Sequence, residues 1–113
     1  MATIDPMEPI VNDLPDWLVL ENRVVLMVVQ ALLGSISPKM TAVAVEVSPD
    51  LVTLYFWVKN IDASIKEDVD DAMAELDALF DNKDPKRLEC VIEQGNPPAD
   101  WVDKKIRMVF REK

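Results

Sequence analysis

Apolar and polar positions alternate along the chain with two different periods, and the switches between them mark six elements. From Asp16 to Leu33, the residues Trp17, Leu20, Val24, Val28, Ala31 and Leu32 recur at helical spacing. Leu26, Val29 and Leu33 are apolar too, so this helix is expected to be covered on more than one side, by the N-terminal segment or by another chain. Its Val24-Val25 and Val28-Val29 pairs would also suit a strand. Asp16 is a candidate cap and Gly34 a candidate C-terminal stop. After a turn at Pro38 the period drops to two. Val43, Val45 and Val47 alternate with Ala42, Ala44 and Glu46. Beyond a short Ser48-Pro49-Asp50 connection, Val52, Leu54, Phe56 and Val58 alternate with Thr53, Tyr55 and Trp57.

The helical period then returns. Ile65, Val69, Ala72, Met73, Leu76, Leu79 and Phe80 fall on one arc, and Ser64 with Glu67 offers a capping box at its start. Two more alternating stretches follow. Leu88, Cys90 and Ile92 oppose Arg87, Glu89, Val91 and Glu93, and Ile106, Met108 and Phe110 oppose Lys105, Arg107, Val109 and Arg111. The order α-β-β-α-β-β predicts an α+β fold of two layers, a four-stranded antiparallel sheet with both helices on one face. In that arrangement Cys90 lies in the core. Glu89 and Glu93 sit across from Arg107 and Lys105 on a neighbouring strand. Residues 1–16, with Pro6, Pro9 and Pro15, read as an arm, and 17–113 as a single domain.

Charge alters this picture in one place above all. The net charge is −9, which disfavours nucleic acid and anionic membrane as ligands and favours a basic partner. Much of the acid lies on one arc of the second helix: Glu67, Asp68, Asp70, Asp71, Glu75, Asp77 and Asp81, with Lys66 the one base among them. A face that serves only solubility gains more from mixed signs, so these acids are candidate partner contacts. Tyr55 and Trp57, on the sheet face turned from the helices, are a second candidate. The alternative is that the arm, through Ile4, Met7, Ile10 and Val11, folds over that face.

Catalytic equipment is scarce. The chain has no histidine, which removes the commonest general base and metal ligand. Two glycines cannot build a phosphate loop, and the single cysteine has no partner for a disulfide or a zinc site. Glu67, Asp70, Asp71 and Glu75 could be imagined around a hard cation, but an exposed helix face is a poor frame for one. No enzyme activity and no cofactor are expected. An acidic N-terminus without Lys or Arg is unlike a secretory signal, and the Val24–Leu33 run is too short to span a bilayer. Together with the lone cysteine these features point to the cytoplasm.

The stretch Asn22–Val47, NRVVLMVVQALLGSISPKMTAVAVEV, followed by LVTLYFWV and an acid-rich helix, resembles small bacterial immunity proteins of polymorphic toxin systems, especially those of contact-dependent growth inhibition. The likeness covers Trp17 to Phe80, and the LLGSISPKM turn is its most distinctive part. The resemblance implies a protein that neutralises one cognate toxin by stoichiometric binding. Many such toxins are basic nucleases, which an acidic surface attracts. It carries no site residue over. The competing expectation is a non-catalytic structural module that self-associates, for example as a homodimer, through the Tyr55/Trp57 face or through the outer side of the first helix.

Overall fold

A computed structural model describes residues 15–34, 36–81, 85–98 and 106–112. Among them the order is α1 (Asp16–Leu32), β1 (Met40–Val47), β2 (Leu51–Val58), α2 (Ala63–Leu79), β3 (Arg87–Gln94) and β4 (Ile106–Arg111). Among the described residues the fold is α+β, with two helices and four strands in the expected sequence. One core joins Val24, Val28 and Leu32 of α1, Ile65, Val69 and Leu76 of α2, and Val43, Val45, Leu54 and Phe56 of the sheet. Both helices therefore cover the same sheet face. The expected arm, apart from Pro15 and Asp16, lies outside the described residues, as does Lys105.

The sheet is mixed, with strand order β3-β2-β1-β4. β1 pairs antiparallel with both β2 and β4, whereas β2 pairs parallel with β3. This corrects the all-antiparallel expectation. The physical reason is the connection: β2 reaches β3 through the helix α2, and a strand that returns by a crossover helix lies parallel to the strand it left. The expected β3–β4 pair is absent, because these strands form opposite edges of the sheet. Glu89 instead meets Arg87 at 2.9 Å, and Arg107 meets Glu21 of α1 at 3.3 Å. Exposed cross-strand charges contribute only tenths of a kcal/mol, too little to override a crossover.

β4 also departs from simple alternation. Its register against β1 shifts between Val43 and Ala44: Val43 faces Phe110, but Ala44 faces Met108. The extra residue, Val109, is a bulge. Val109 and Phe110 both pack on the main core, Arg107 turns toward the helices opposite Val45, and Ile106 turns to the other side. The expected single apolar face of Ile106, Met108 and Phe110 is thus split in two.

Helix ends differ in detail from expectation. Pro15 is the N-cap of α1 and Asp16 its first helical residue, where the carboxylate faces the positive end of the dipole. Leu33 closes α1 in a right-handed conformation, so Gly34 serves no left-handed stop. The cap of α2 is Asp62, whose Oδ1 accepts the Ile65 amide at 2.8 Å. Ser64 lies inside the helix, and its Oγ accepts Lys39 Nζ at 3.0 Å.

Candidate functional site

α2 buries Ile65, Val69, Ala72 and Leu76, at spacings of four, three and four. Burying that arc turns the opposite one outward. Glu67, Asp70, Asp71, Glu75 and Asp77 are exposed, and Asp68 is half-buried. Among the described residues none of these six carboxylates meets a basic side chain. The ion pairs nearby use other acids: Arg23 of α1 holds Asp81 at 2.9 Å, and Lys39 reaches Asp62 at 3.8 Å. The helix carries six acids against one base, Lys66, a cost in self-repulsion that an oppositely charged partner would relieve.

The six acids look in different directions. Asp68 and Asp71 line a cavity of about 290 Å³ with Gly34, Ile36, Ser37 and Pro38 at the far end of α1. The loop in that wall is the distinctive turn of the sequence. With Arg23, near the start of α1, bonded to Asp81 past the end of α2, this makes the two helices antiparallel neighbours. Asp70 faces the other flank. It acts on Cys90, whose thiol is pushed above its ordinary value by partial burial first and by the Asp70 carboxylate second.

Cys90 itself is exposed, which corrects its expected core position. It pairs with Leu54, so the face is the predicted one. β3, however, is an edge strand, and the helix layer leaves Cys90 uncovered while Leu88 and Ile92 pack on the core. The raised thiol argues against a ready nucleophile. No group of three or more Cys, Asp or Glu side chains among the described residues is arranged to hold a metal ion.

The aromatic pair is placed differently from the acids. Tyr55 and Trp57 stack with ring centroids 6.1 Å apart, and Tyr55 donates its hydroxyl hydrogen to Glu46 Oε1 at 2.8 Å. Trp57 is only 4% exposed and joins Ala42 and Ala44 in a second small cluster, with Tyr55 and Ile106 at its margin. Tyr55 is half-buried. The pair lies on the predicted sheet face, but Trp57 offers almost no surface to a partner.

The outer side of α1, which was expected to be covered by the N-terminal segment or by another chain, presents an exposed apolar surface among the described residues. Val19, Leu26, Val29 and Leu33 remain exposed there. The signal in the sequence is their alternating spacing, which sets them on an arc apart from the buried Val24, Val28, Ala31 and Leu32.

A family model described as MafI2 immunity protein matches residues 21–112. Among curated proteins none matches the chain. The matched span includes most of α1, the cavity-lining turn, the whole acidic helix and the described part of β4.

Proposed function

The chain belongs to the MafI2 immunity protein family, and we propose that it neutralises its cognate toxin by stoichiometric binding through the acidic face of α2. The residues proposed for that contact are Glu67, Asp68, Asp70, Asp71, Glu75 and Asp77. Tyr55 and Trp57 enter the proposal as support beneath the sheet and not as anchors, because Trp57 is buried. The observation that carries the reading is the set of six carboxylates on α2, five of them exposed away from the buried arc, and none met by a base among the described residues.

The toxin is proposed to be basic, in keeping with a nuclease that must hold a phosphate backbone. Its positive surface would be drawn to α2 before contact, raising the association rate by one to three orders of magnitude at low salt. An acidic helix seated on a phosphate-binding surface displaces the substrate by occupying its charge. The proposed setting is the cytoplasm, where a delivered toxin acts, and the delivery is proposed to be by contact between cells. No described helix is long and apolar enough to cross a membrane. A binder needs no reactive group of its own, and the proposal assigns this chain no catalytic step.

The test is a triple charge reversal, Asp70→Lys, Asp71→Lys and Glu75→Lys, with toxin association followed by stopped flow. Association slowed steeply at low salt, and recovering toward the wild-type rate as salt rises, supports the reading. Toxin binding unchanged by the triple reversal would remove α2 from the interface. Competition by a polynucleotide then separates occlusion of the toxin's active site from binding beside it.

A further inference from the structure

Six residues on the outer side of α1 follow a strict alternation of three and four: Val19, Asn22, Leu26, Val29, Leu33 and, one turn past the helix end, Ile36. The Ile36 amide donates to the Leu32 carbonyl at 3.1 Å, which holds Ile36 against the end of the helix. All six are exposed, Leu26 at 70% and Leu33 at 80%. This is the spacing of a coiled-coil seam, narrower than a stripe that packs on a sheet. It is also free of charge. The charged residues of α1 lie elsewhere: Asp16 at the first position, Glu21 held by Arg107, and Arg23 held by Asp81.

We propose that this seam pairs α1 with α1 of a second copy of the chain, the two helices running parallel and in register. Two chains of net charge −9 repel over most of their surfaces, and the uncharged seam is where they can meet without opposing like charges. A basic toxin gains no steering from it. The orientation follows from Asn22. In a parallel pair in register it meets Asn22 of the other copy, where each amide has both a donor and an acceptor to offer the other. In an antiparallel pair it is buried against an apolar residue with its amide unsatisfied. A helix of 17 residues gives a seam roughly 26 Å long. Pairing over that length buries on the order of 1,000 Å² in total, the low end for a specific interface, so association belongs in the micromolar range. Most of the seam lies apart from the acids of α2; only its last residue, Ile36, borders them, where it shares a cavity wall with Asp68 and Asp71.

The test is sedimentation equilibrium on the full chain, from low to high micromolar concentration, at low and at half-molar salt. The mass is expected to rise from 12.8 kDa toward twice that value, and to do so more readily in high salt, which screens the mutual repulsion. Leu26→Glu should leave the chain monomeric with an unchanged circular dichroism spectrum, since Leu26 is at the surface. Asn22→Leu should tighten association at least tenfold or carry it beyond a dimer, as replacing a seam asparagine does. A monomer under all conditions overturns the proposal. So does a dimer indifferent to Leu26→Glu, or one that salt weakens. If Leu26→Glu instead abolishes toxin binding by a chain that was monomeric throughout, the seam is the toxin's seat and the pairing is overturned.

Discussion

Glu21 of α1 and Arg107 of β4 meet at 3.3 Å across 86 positions of the chain, with the Glu21 side chain only 7% exposed and that of Arg107 46% exposed. The bulge in β4 makes the contact possible, because without the extra Val109 the strand would turn Arg107 to the far face. The pair fastens an edge strand to the helix layer. Removing the base leaves a buried carboxylate without its partner, whereas neutralising the acid leaves an arginine that can reach water. Arg107→Ala is therefore expected to destabilise the fold by about 1–3 kcal/mol, below the range for fully buried pairs because Arg107 is half in solvent. Glu21→Gln should cost less. Urea unfolding of both variants checks the order, and a larger loss for Glu21→Gln would contradict it.

The start of α2 offers a sharper local comparison. Asp62 accepts the Ile65 amide, while Ser64 is already helical and bonds Lys39. Asp62→Ala should cost about 1 kcal/mol through the lost cap. Ser64→Ala should stay within about half a kcal/mol, because it removes one exposed bond. Equal losses in thermal unfolding would mean that Ser64 shares the capping.

These two contacts mark the line between what the sequence discloses and what it does not. Face assignments were legible wherever one period runs unbroken: Val43 and Val45 point to the helices, Ala42 and Ala44 away, and Ile65, Val69 and Leu76 inward, with the acids of α2 outward as a consequence. Those periods are properties of a single element. Partner choice is not. That β3 lies beside β2 depends on the crossover through α2, and the exposure of Cys90 depends on where the helix layer stops. The β4 bulge inserts one residue and reverses every face before it, so Ile106 and Arg107 were both read on the wrong side. The acidic site was legible because its position follows from burial on the same helix. The fate of Trp57 was not, because alternation assigns a side chain to a face without saying what covers that face.

Cys90 gives a chemical readout of its edge position. Its thiol is exposed, yet burial of its surroundings and the Asp70 carboxylate both hold its pKa above the ordinary value. A raised thiol pKa leaves less thiolate at neutral and mildly alkaline pH, so alkylation should be complete but slow beside a free thiol. Asp70→Asn removes the nearby negative charge, lowers the pKa and should speed the reaction at a given pH. Iodoacetamide labelling followed by mass spectrometry measures both rates. A cysteine that labels only on unfolding would place it in the core, and a rate indifferent to Asp70→Asn would deny the electrostatic contact.

The two glycines should respond oppositely to alanine. Gly95 sits at φ +99°, just after β3, with its amide donating to Val58 at 2.7 Å and its carbonyl accepting the Thr41 hydroxyl at 2.7 Å. Both bonds hold the backbone in a conformation that a side chain resists. Gly95→Ala is expected to destabilise by about 1 kcal/mol or more. Gly34 has no such φ, and a Cβ there would meet nothing within 4 Å. Gly34→Ala should be neutral or stabilising by up to about 1 kcal/mol, through the reduced freedom of the unfolded chain. Denaturant midpoints settle the pair, and a destabilising Gly34→Ala would restore to Gly34 the role of helix stop.

The location of the acids, as distinct from their number, is open to direct test. Glu67 and Asp77 are exposed on α2, whereas Glu89 and Glu93 are exposed on the sheet face turned from the helices, in register with Thr53 and Trp57. Glu67→Gln with Asp77→Asn and Glu89→Gln with Glu93→Gln change the net charge equally. If the toxin approaches α2, the first pair should slow association several-fold at low salt, and the second should have a smaller effect. The rates should converge as salt rises and the Debye length falls below the separation of the charges. Equal slowing by the two pairs would mean that the field of the whole molecule, and not the face of α2, guides the toxin.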